Sequence, residues 1–487
     1  MNSKKIWFVC GGQHLYGTEA FSQMRSHANE IANALNEYTE CKIVFKELVT
    51  TSAEITAVMR AANAEDSCVG IITWMHVFSP SKMWIEGFSL LQKPLLHLHT
   101  QYNREIPWDS IDMDFMNLNQ SAHGDREHGF IGARMRLSRE IVTGYWRDED
   151  VCQSVAQWAR CAAAYAFSKT LKVARFGDNM RYVAVTEGDK VEAQIKFGWS
   201  VNGYGMGDLT EVINNVSEGD VSAKMDEYNM RYEMNTNDVA AVAQQAKYEV
   251  GMRRFLDAED CRAFTTTFED LHGLKQLPGL AVQNMLFDGY GFGAEGDWKT
   301  SALTAVMKYM AQGLKGGTAF MEDYTYNFAG KDSAILGAHM LEVCPSVAAE
   351  KPKIEVHPLG IGGKEPPARL VFDGTDGHAV ASAIIDMGDR FRMITISAQL
   401  LAISRSMPKL PVARLLWKPL PNLKTSATAW IMAGGAHHTC LSNALNENHM
   451  RTFARMCDME FVLIDENCDL DALEKELLYN DVIYRLR

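Results

Sequence analysis

The sequence predicts an α/β protein: N-terminal and central doubly wound parallel-sheet domains, then a C-terminal, mostly antiparallel β-barrel-like domain with flanking helices. Three observations carry this. The first hundred residues alternate short apolar runs with helix-like stretches. A new strand-like run opens the same texture at 171–176. From residue 353 on, short β-rich runs follow one another with Gly, Asp and Pro between them, as in antiparallel sheet.

In the first region, residues 6–10, 43–45, 69–74 and 95–98 read as strands, and 19–35, 52–64 and 80–91 as the helices between them. This βαβ order predicts a parallel sheet covered by helices. Ser52 with Glu54, and Ser79 with Pro80, supply helix starts. Ligands of such sheets sit beyond the carboxyl ends of the strands. That singles out Gly11, Gly12, Gln13 and His14, then His76, then His97, His99 and Gln101. Each histidine taken singly reads rather as a hydrogen-bonded wall residue. Residues 108–123 are polar and aperiodic, the texture of a long functional loop or a subunit contact. Residues 136–170 read as mainly helical.

In the second region the strand at 171–176 leads into a loop at 177–181. Helices are expected over 208–215 and 238–256, and a β-rich run at 263–270 ends in Glu269 and Asp270. In the third, strands are expected at 353–356, 368–372, 379–385 and 391–397, then a helix, strand and helix at 447–457, 460–464 and 469–478. The expected domains are 1–169, 170–325 and 326–487. The glycine-rich stretch 360–364 lacks phosphate-loop spacing and reads as a hairpin turn.

Composition narrows the function classes. The net charge is -13 with no Lys/Arg run, which argues against a nucleic-acid partner. Ten cysteines include no C-x-x-C pair, so zinc-ribbon and thioredoxin-like chemistry is disfavoured. Scattered thiols beside apolar residues fit a reducing compartment. The apolar stretch 6–10 is too short for a signal-peptide core, and no window approaches the ~20 apolar residues of a membrane helix. A cytoplasmic location with no membrane partner is expected.

Four side chains stand out as candidate ligands: Glu295, Glu322, His339 and His438. Three follow or lie within apolar segments, where an ionisable group is costly unless it is partnered. A divalent cation is one such partner, and two carboxylates with two imidazoles and open positions suit Mn²⁺ or a similar ion. Singly, each has a commoner role: a cap or lysine partner for Glu322, a turn residue for Glu295, a satisfied core histidine for His339. A rival pattern overlaps them. Residues 291–296 match G-x-G-x-x-G ahead of a helical stretch, the basis for an NAD-dependent sugar oxidoreductase as the alternative. Glu295 and Asp297 would repel phosphate there. A non-catalytic sugar-binding protein is a further alternative, because a fold does not fix a function.

Eight strings decide between these readings: GGQHLYG (11–17), WDSIDMDFMNLNQSAHG (108–124), FGDNMR (176–181), TTTFEDLHGLKQLPGLAVQ (265–283), EGDWKT (295–300), FMEDYTY (320–326), HMLEVCP (339–345) and GGAHHT (434–439). In this order and over nearly the whole chain, they resemble the signatures of the L-arabinose isomerase family. Gly12, where many relatives carry Ser, and Asn327 depart from the pattern without touching a proposed ligand. The resemblance implies one Mn²⁺ per subunit, other divalent ions being possible, held by Glu295, Glu322, His339 and His438. His437 replaces His438 if the register shifts by one. It implies acid–base roles for Glu295 and Glu322, and sugar contacts for Gln13 and His123, the latter reaching a neighbouring subunit's site. It further implies a homohexamer built as a dimer of trimers. The activity expected is L-arabinose catabolism through L-arabinose–L-ribulose interconversion by a cis-enediol, with D-galactose to D-tagatose on the side.

Overall fold

The computed structural model describes residues 1, 3–360 and 363–486. The glycine-rich stretch 360–364 includes two positions outside the described residues. The chain divides into two compact units, Met1–Ala166 and Phe167–Arg487.

The first unit is built on β1 (Lys5–Gly11), β2 (Lys42–Val49), β3 (Cys68–Met75), β4 (Leu95–His99) and β5 (Glu140–Thr143). They form one all-parallel sheet in the order β2-β1-β3-β4-β5. Every residue of β3 is buried, as expected of a central strand covered on both faces. The helix Ser52–Ala64 begins one residue earlier than anticipated in its capping. Thr51, not Ser52, is the N-cap, and the Glu54 carboxylate accepts the Thr51 amide at 3.1 Å. The helix expected over 80–91 is a 3₁₀ turn, Ser81–Trp84, followed by a short helix, Ile85–Leu90. The stretch read as helical from 136 contains β5 before the helix Glu149–Ser168 begins. The aperiodic segment 108–123 holds a short helix, Met113–Leu118, and the start of Ser121–Arg134.

The second unit contains β6 (Lys172–Phe176), β7 (Ser200–Tyr204), β8 (Glu233–Met234), β9 (Ala263–Thr266) and β10 (Gly291–Ala294). These are followed by β11 (Thr318–Asn327), β12 (Ala334–Ala338), β13 (Lys353–Val356), β14 (Ala368–Val371) and β15 (Gly377–Asp386). The last are β16 (Phe391–Leu401), β17 (Arg414–Pro419), β18 (His438–Ser442) and β19 (Glu460–Ile464). A four-stranded parallel sheet runs β10-β9-β6-β7. An antiparallel sheet runs β15-β18-β11-β12-β17-β16, and ten residue pairs between β15 and β16 close it into a barrel. Closure leaves no free edge among the six strands. β19 adds in parallel to β16. β13 and β14, expected as part of this sheet, pair instead with each other and with β8.

Period-2 alternation fills the barrel core. Ala379, Ala381, Ala383 and Ile385 on β15 meet Ile394, Ile396, Ala398 and Leu400 on β16, and all are buried with Leu415 and Trp417. All ten cysteines are free and nine are buried. Among the described residues, no helix is long and apolar enough to cross a membrane.

Candidate active site

Strand register assembles the candidate residues. Glu322 on β11 lies opposite His438, the first residue of β18, and opposite Ala338, the last residue of β12. Directly opposed residues of antiparallel strands share a face. Glu322 and His438 therefore project together, and His339 emerges one residue beyond Ala338. The closest approaches are 3.9 Å from His339 Nε2 to Glu322 Oε2 and 3.8 Å from His438 Nε2 to Glu295 Oε2.

Glu295 comes from a different sheet. It follows β10 at the carboxyl edge of the parallel sheet, where ligands of such sheets gather. Its φ of 61° is left-handed, a conformation few residues with a side chain adopt. Its carboxylate also accepts from His437 Nε2 at 3.3 Å. That hydrogen bond, opposed by burial and aided by the charge of His438, holds the Glu295 carboxyl below its usual range and raises His437. Glu295, His437 and His438 each offer one donor atom within 4.8 Å of the others.

His438 and His339 are each oriented by a buried carboxylate. His438 Nδ1 donates to Asp297 at 3.1 Å, and His339 Nδ1 donates to Glu342 at 2.5 Å. Each ring therefore turns Nε2 toward the acidic pair, the arrangement common behind metal-bound imidazoles. Asp297 is itself fixed as N-cap of the helix Trp298–Met310, accepting from the Thr300 amide at 3.0 Å and the Thr300 hydroxyl at 2.8 Å. Burial would raise the Asp297 carboxyl, but the His438 hydrogen bond and the Lys299 charge outweigh it, and the group sits below its ordinary range. For His339, burial opposes protonation, yet Glu342 prevails and raises the imidazole. The Phe320 ring lies 4.9 Å from His339 and 5.1 Å from His438. It packs against both imidazoles.

Glu295, Glu322, His339 and Glu342 line one cleft of about 130 Å³, walled by Phe268, Leu271, Leu277, Pro278, Tyr324 and Met340. His438 Nε2 is buried with no hydrogen-bond partner, an orphan that a cation would satisfy. The other tight acidic cluster, Glu227, Glu249 and Asp288, differs in kind. Lys224, Arg231 and Arg253 already neutralise it at 2.6–3.2 Å.

Gln13 and His123 belong to the first unit, the four proposed ligands to the second. Gln13 follows β1, between β2 and β3 in the sheet, the switch point of a doubly wound order. His123 is exposed, its ring 4.7 Å from Phe78.

The match to known proteins runs along nearly the whole chain. Sequence models of the L-arabinose isomerase N-terminal, central and C-terminal domains match residues 1–170, 172–313 and 317–460. The L-arabinose isomerase of Geobacillus stearothermophilus is 57% identical over 491 residues, covering 99% of both chains. That of Thermotoga neapolitana is 55% identical over 486 residues, covering 99% of this chain and 98% of its own. The chain belongs to the L-arabinose isomerase family. It is thus an intramolecular oxidoreductase by class, and the family implies a divalent metal ion. The donor set described above fits such an ion.

Family membership gives the dinucleotide reading of 291–296 no support, and packing explains the glycines. Gly291 and Gly293 lie within β10 itself, and a Cβ there would come within 2.2 Å of Ser301 O and 2.6 Å of Asp297 O. Sequence reasoning passed over Asp297, Glu342 and Phe320. The available signal was spacing: an acid two residues after Glu295, an acid three after His339, and a ring two before Glu322 on the same strand face.

Proposed function

We propose that this protein interconverts L-arabinose and L-ribulose in L-arabinose catabolism, by metal-assisted proton transfer through a cis-enediol. Glu295, Glu322, His339 and His438 would hold the ion, which we take to be Mn²⁺, one per subunit. When bound, a divalent ion would polarise the sugar carbonyl and offset the charge that develops on the enediolate. The chain's own groups then do the proton work. One carboxylate of the Glu295–Glu322 pair removes the proton from C2 and returns it to C1, while the other shifts the hydroxyl proton from O2 to O1. The net change is one C–H and one O–H exchanged between neighbouring carbons, with nothing gained or lost. General acid–base help of this kind is worth ~10²–10⁴ in rate.

The observation that carries this reading is the meeting of Glu295, Glu322 and His339 on one cleft, with the buried His438 Nε2 3.8 Å from the Glu295 carboxylate. We assign sugar contacts to Gln13 and His123 and D-galactose to D-tagatose as the side activity. We further assign a cytoplasmic homohexamer arranged as a dimer of trimers, and domains spanning 1–169, 170–325 and 326–487. The sugar contacts, side activity and hexamer rest on family resemblance, and the location and domain limits on the sequence pattern.

The test is ketose formation from L-arabinose with Glu295→Gln and Glu322→Gln, each checked for folding by circular dichroism. Turnover should vanish in both. A fully active Glu322→Gln enzyme would remove the acid–base claim. Solvent tritium should enter C1 of the ketose, which a hydride shift would not produce.

A further inference from the structure

The strain at Glu295 points to a residue outside the cleft. A left-handed backbone persists at a residue with a side chain only where its surroundings over-determine it. Here two segments hold the turn: the Gly296 amide donates to Thr266 O at 3.2 Å, at the end of β9, and the loop 177–181, at the carboxyl end of β6, takes the turn's carbonyls. The Met180 amide donates to the Glu295 carbonyl at 3.0 Å. The Asn179 side chain donates to the carbonyl of the next residue, Gly296, at 3.2 Å, and to Thr186 O at 2.8 Å. Gly296 is itself left-handed, at φ 79°, and a Cβ there would lie 2.5 Å from Asn179 Cα. The two segments are thus in direct backbone contact at the strained turn.

The orientation of the Asn179 amide follows from its other partner. Arg175 Nη1 donates to Asn179 Oδ1 at 2.8 Å. A guanidinium can only donate, so this contact identifies the oxygen, and the amide nitrogen must face the two carbonyls. The loop is fixed in turn to the end of the neighbouring strand: the Asp178 amide donates to Asp270 at 3.0 Å, and Arg181 pairs with Glu269 at 2.9 Å and with Asp270 at 3.0 Å. Asn179 is 5% exposed and lines no part of the cleft, so contact with a sugar does not account for it.

We infer that Asn179 is a positioning residue, clamping the left-handed Glu295–Gly296 turn so that the Glu295 carboxylate faces His437 and His438. This rests on the reading of Glu295 as a metal ligand. Without the clamp the turn can relax to an ordinary backbone conformation and swing the carboxylate off its partners. Asn179→Ala removes both donors and the arginine's acceptor.

The experiment titrates Mn²⁺, by its paramagnetic resonance signal, into metal-stripped wild-type, Asn179→Ala and Glu295→Gln proteins, well below their unfolding temperatures. Asn179→Ala should bind about 10–100-fold more weakly, as is usual when a partner behind a ligand is lost. kcat/KM at saturating Mn²⁺ should also fall. If Asn179→Ala does not fold, the milder Asn179→Ser should show the same weakening to a smaller degree. A folded Asn179 variant with lowered Tm but wild-type Mn²⁺ affinity and kcat/KM reduces the residue to a structural role and overturns the inference. The Glu295→Gln arm separates the two claims. Wild-type affinity in that protein removes Glu295 from the ligand set, and the clamp falls with it.

Discussion

Glu322 and His438 face each other across the β11–β18 ladder although 116 residues separate them in the chain, and His438 turns its free Nε2 inward because Asp297 occupies its Nδ1. A slip of one residue in this register would send His438 to the opposite face of the sheet. The register of a closed barrel therefore sets which imidazole lies opposite Glu322, while His437, the alternative by sequence, meets Glu295 at 3.3 Å from a half-exposed position.

The first prediction concerns that orientation. Asp297 can only accept when ionised, so of the two neutral tautomers of His438 it selects the one with its proton on Nδ1 and a lone pair at Nε2. Asn at 297 can offer its amide group to either ring tautomer. Asp297→Asn should therefore weaken Mn²⁺ affinity by about 10–100-fold with little change in the far-ultraviolet dichroism. Calorimetric titration of the stripped protein reads this directly, and wild-type affinity would remove Asp297 from any role behind the ligand.

The second concerns metal removal. An ion that binds the folded state alone stabilises it by RT ln(1 + [L]/Kd), about 2.7 kcal/mol at a concentration a hundredfold above Kd. Chelation should abolish ketose formation and lower the Tm, and Mn²⁺ should restore both. In Glu295→Gln and His438→Ala proteins the metal-dependent part of the Tm should shrink. A Tm blind to Mn²⁺ in the wild-type protein would count against a cation at this site.

Much of this was legible in the sequence because period and turn chemistry are local. β13 and β19 lie where the residues predict them, and β3 declares itself by a buried apolar run. What escaped is what only pairing decides. Lys353–Val356 reads as a strand from its own residues, yet nothing local says that it joins β8 rather than the barrel. β5 is four residues long and borders a helix of twenty, so the longer period masks it. In the candidate site, acids and imidazoles in apolar settings were visible in the sequence, but Asp297 reads locally as a helix cap, which it also is. Its second role toward His438, 141 residues away, exists only in the fold.

The third prediction tests the first sheet. Ile72 lies within β3, fully buried between β1 and β4. Ile72→Ala leaves a cavity that neighbouring strands cannot close, and such changes cost about 2–5 kcal/mol. Thermal unfolding should show the loss in the transition of the first unit. Destabilisation below about 1 kcal/mol would mean that the sheet relaxes around the gap.

The fourth concerns acid and alkaline stability through Glu447. Its carboxylate accepts from His378 Nε2 at 3.0 Å and from the Ser397 hydroxyl at 2.5 Å. The His378 hydrogen bond, opposed by burial and aided by Ser397, pulls the Glu447 carboxyl down from 4.5 to about 2, and Glu447 in turn raises His378 above 6.5. A depressed carboxyl contributes stability above its unfolded value, so this part is lost as pH falls from 4.5 toward 2. A raised imidazole contributes below its unfolded value, so that part is lost as pH climbs past 6.5 through the folded value. The pair therefore helps most between these limits. His378 is half-exposed, so solvent screening keeps the contribution to about 0–1 kcal/mol. The difference in urea midpoint between the wild-type and Glu447→Gln proteins, followed from pH 2 to 8, should peak near pH 5–6 and shrink on both sides. A difference that stayed constant across that range would show that Glu447 acts through packing and its serine contact, without a charge on either partner.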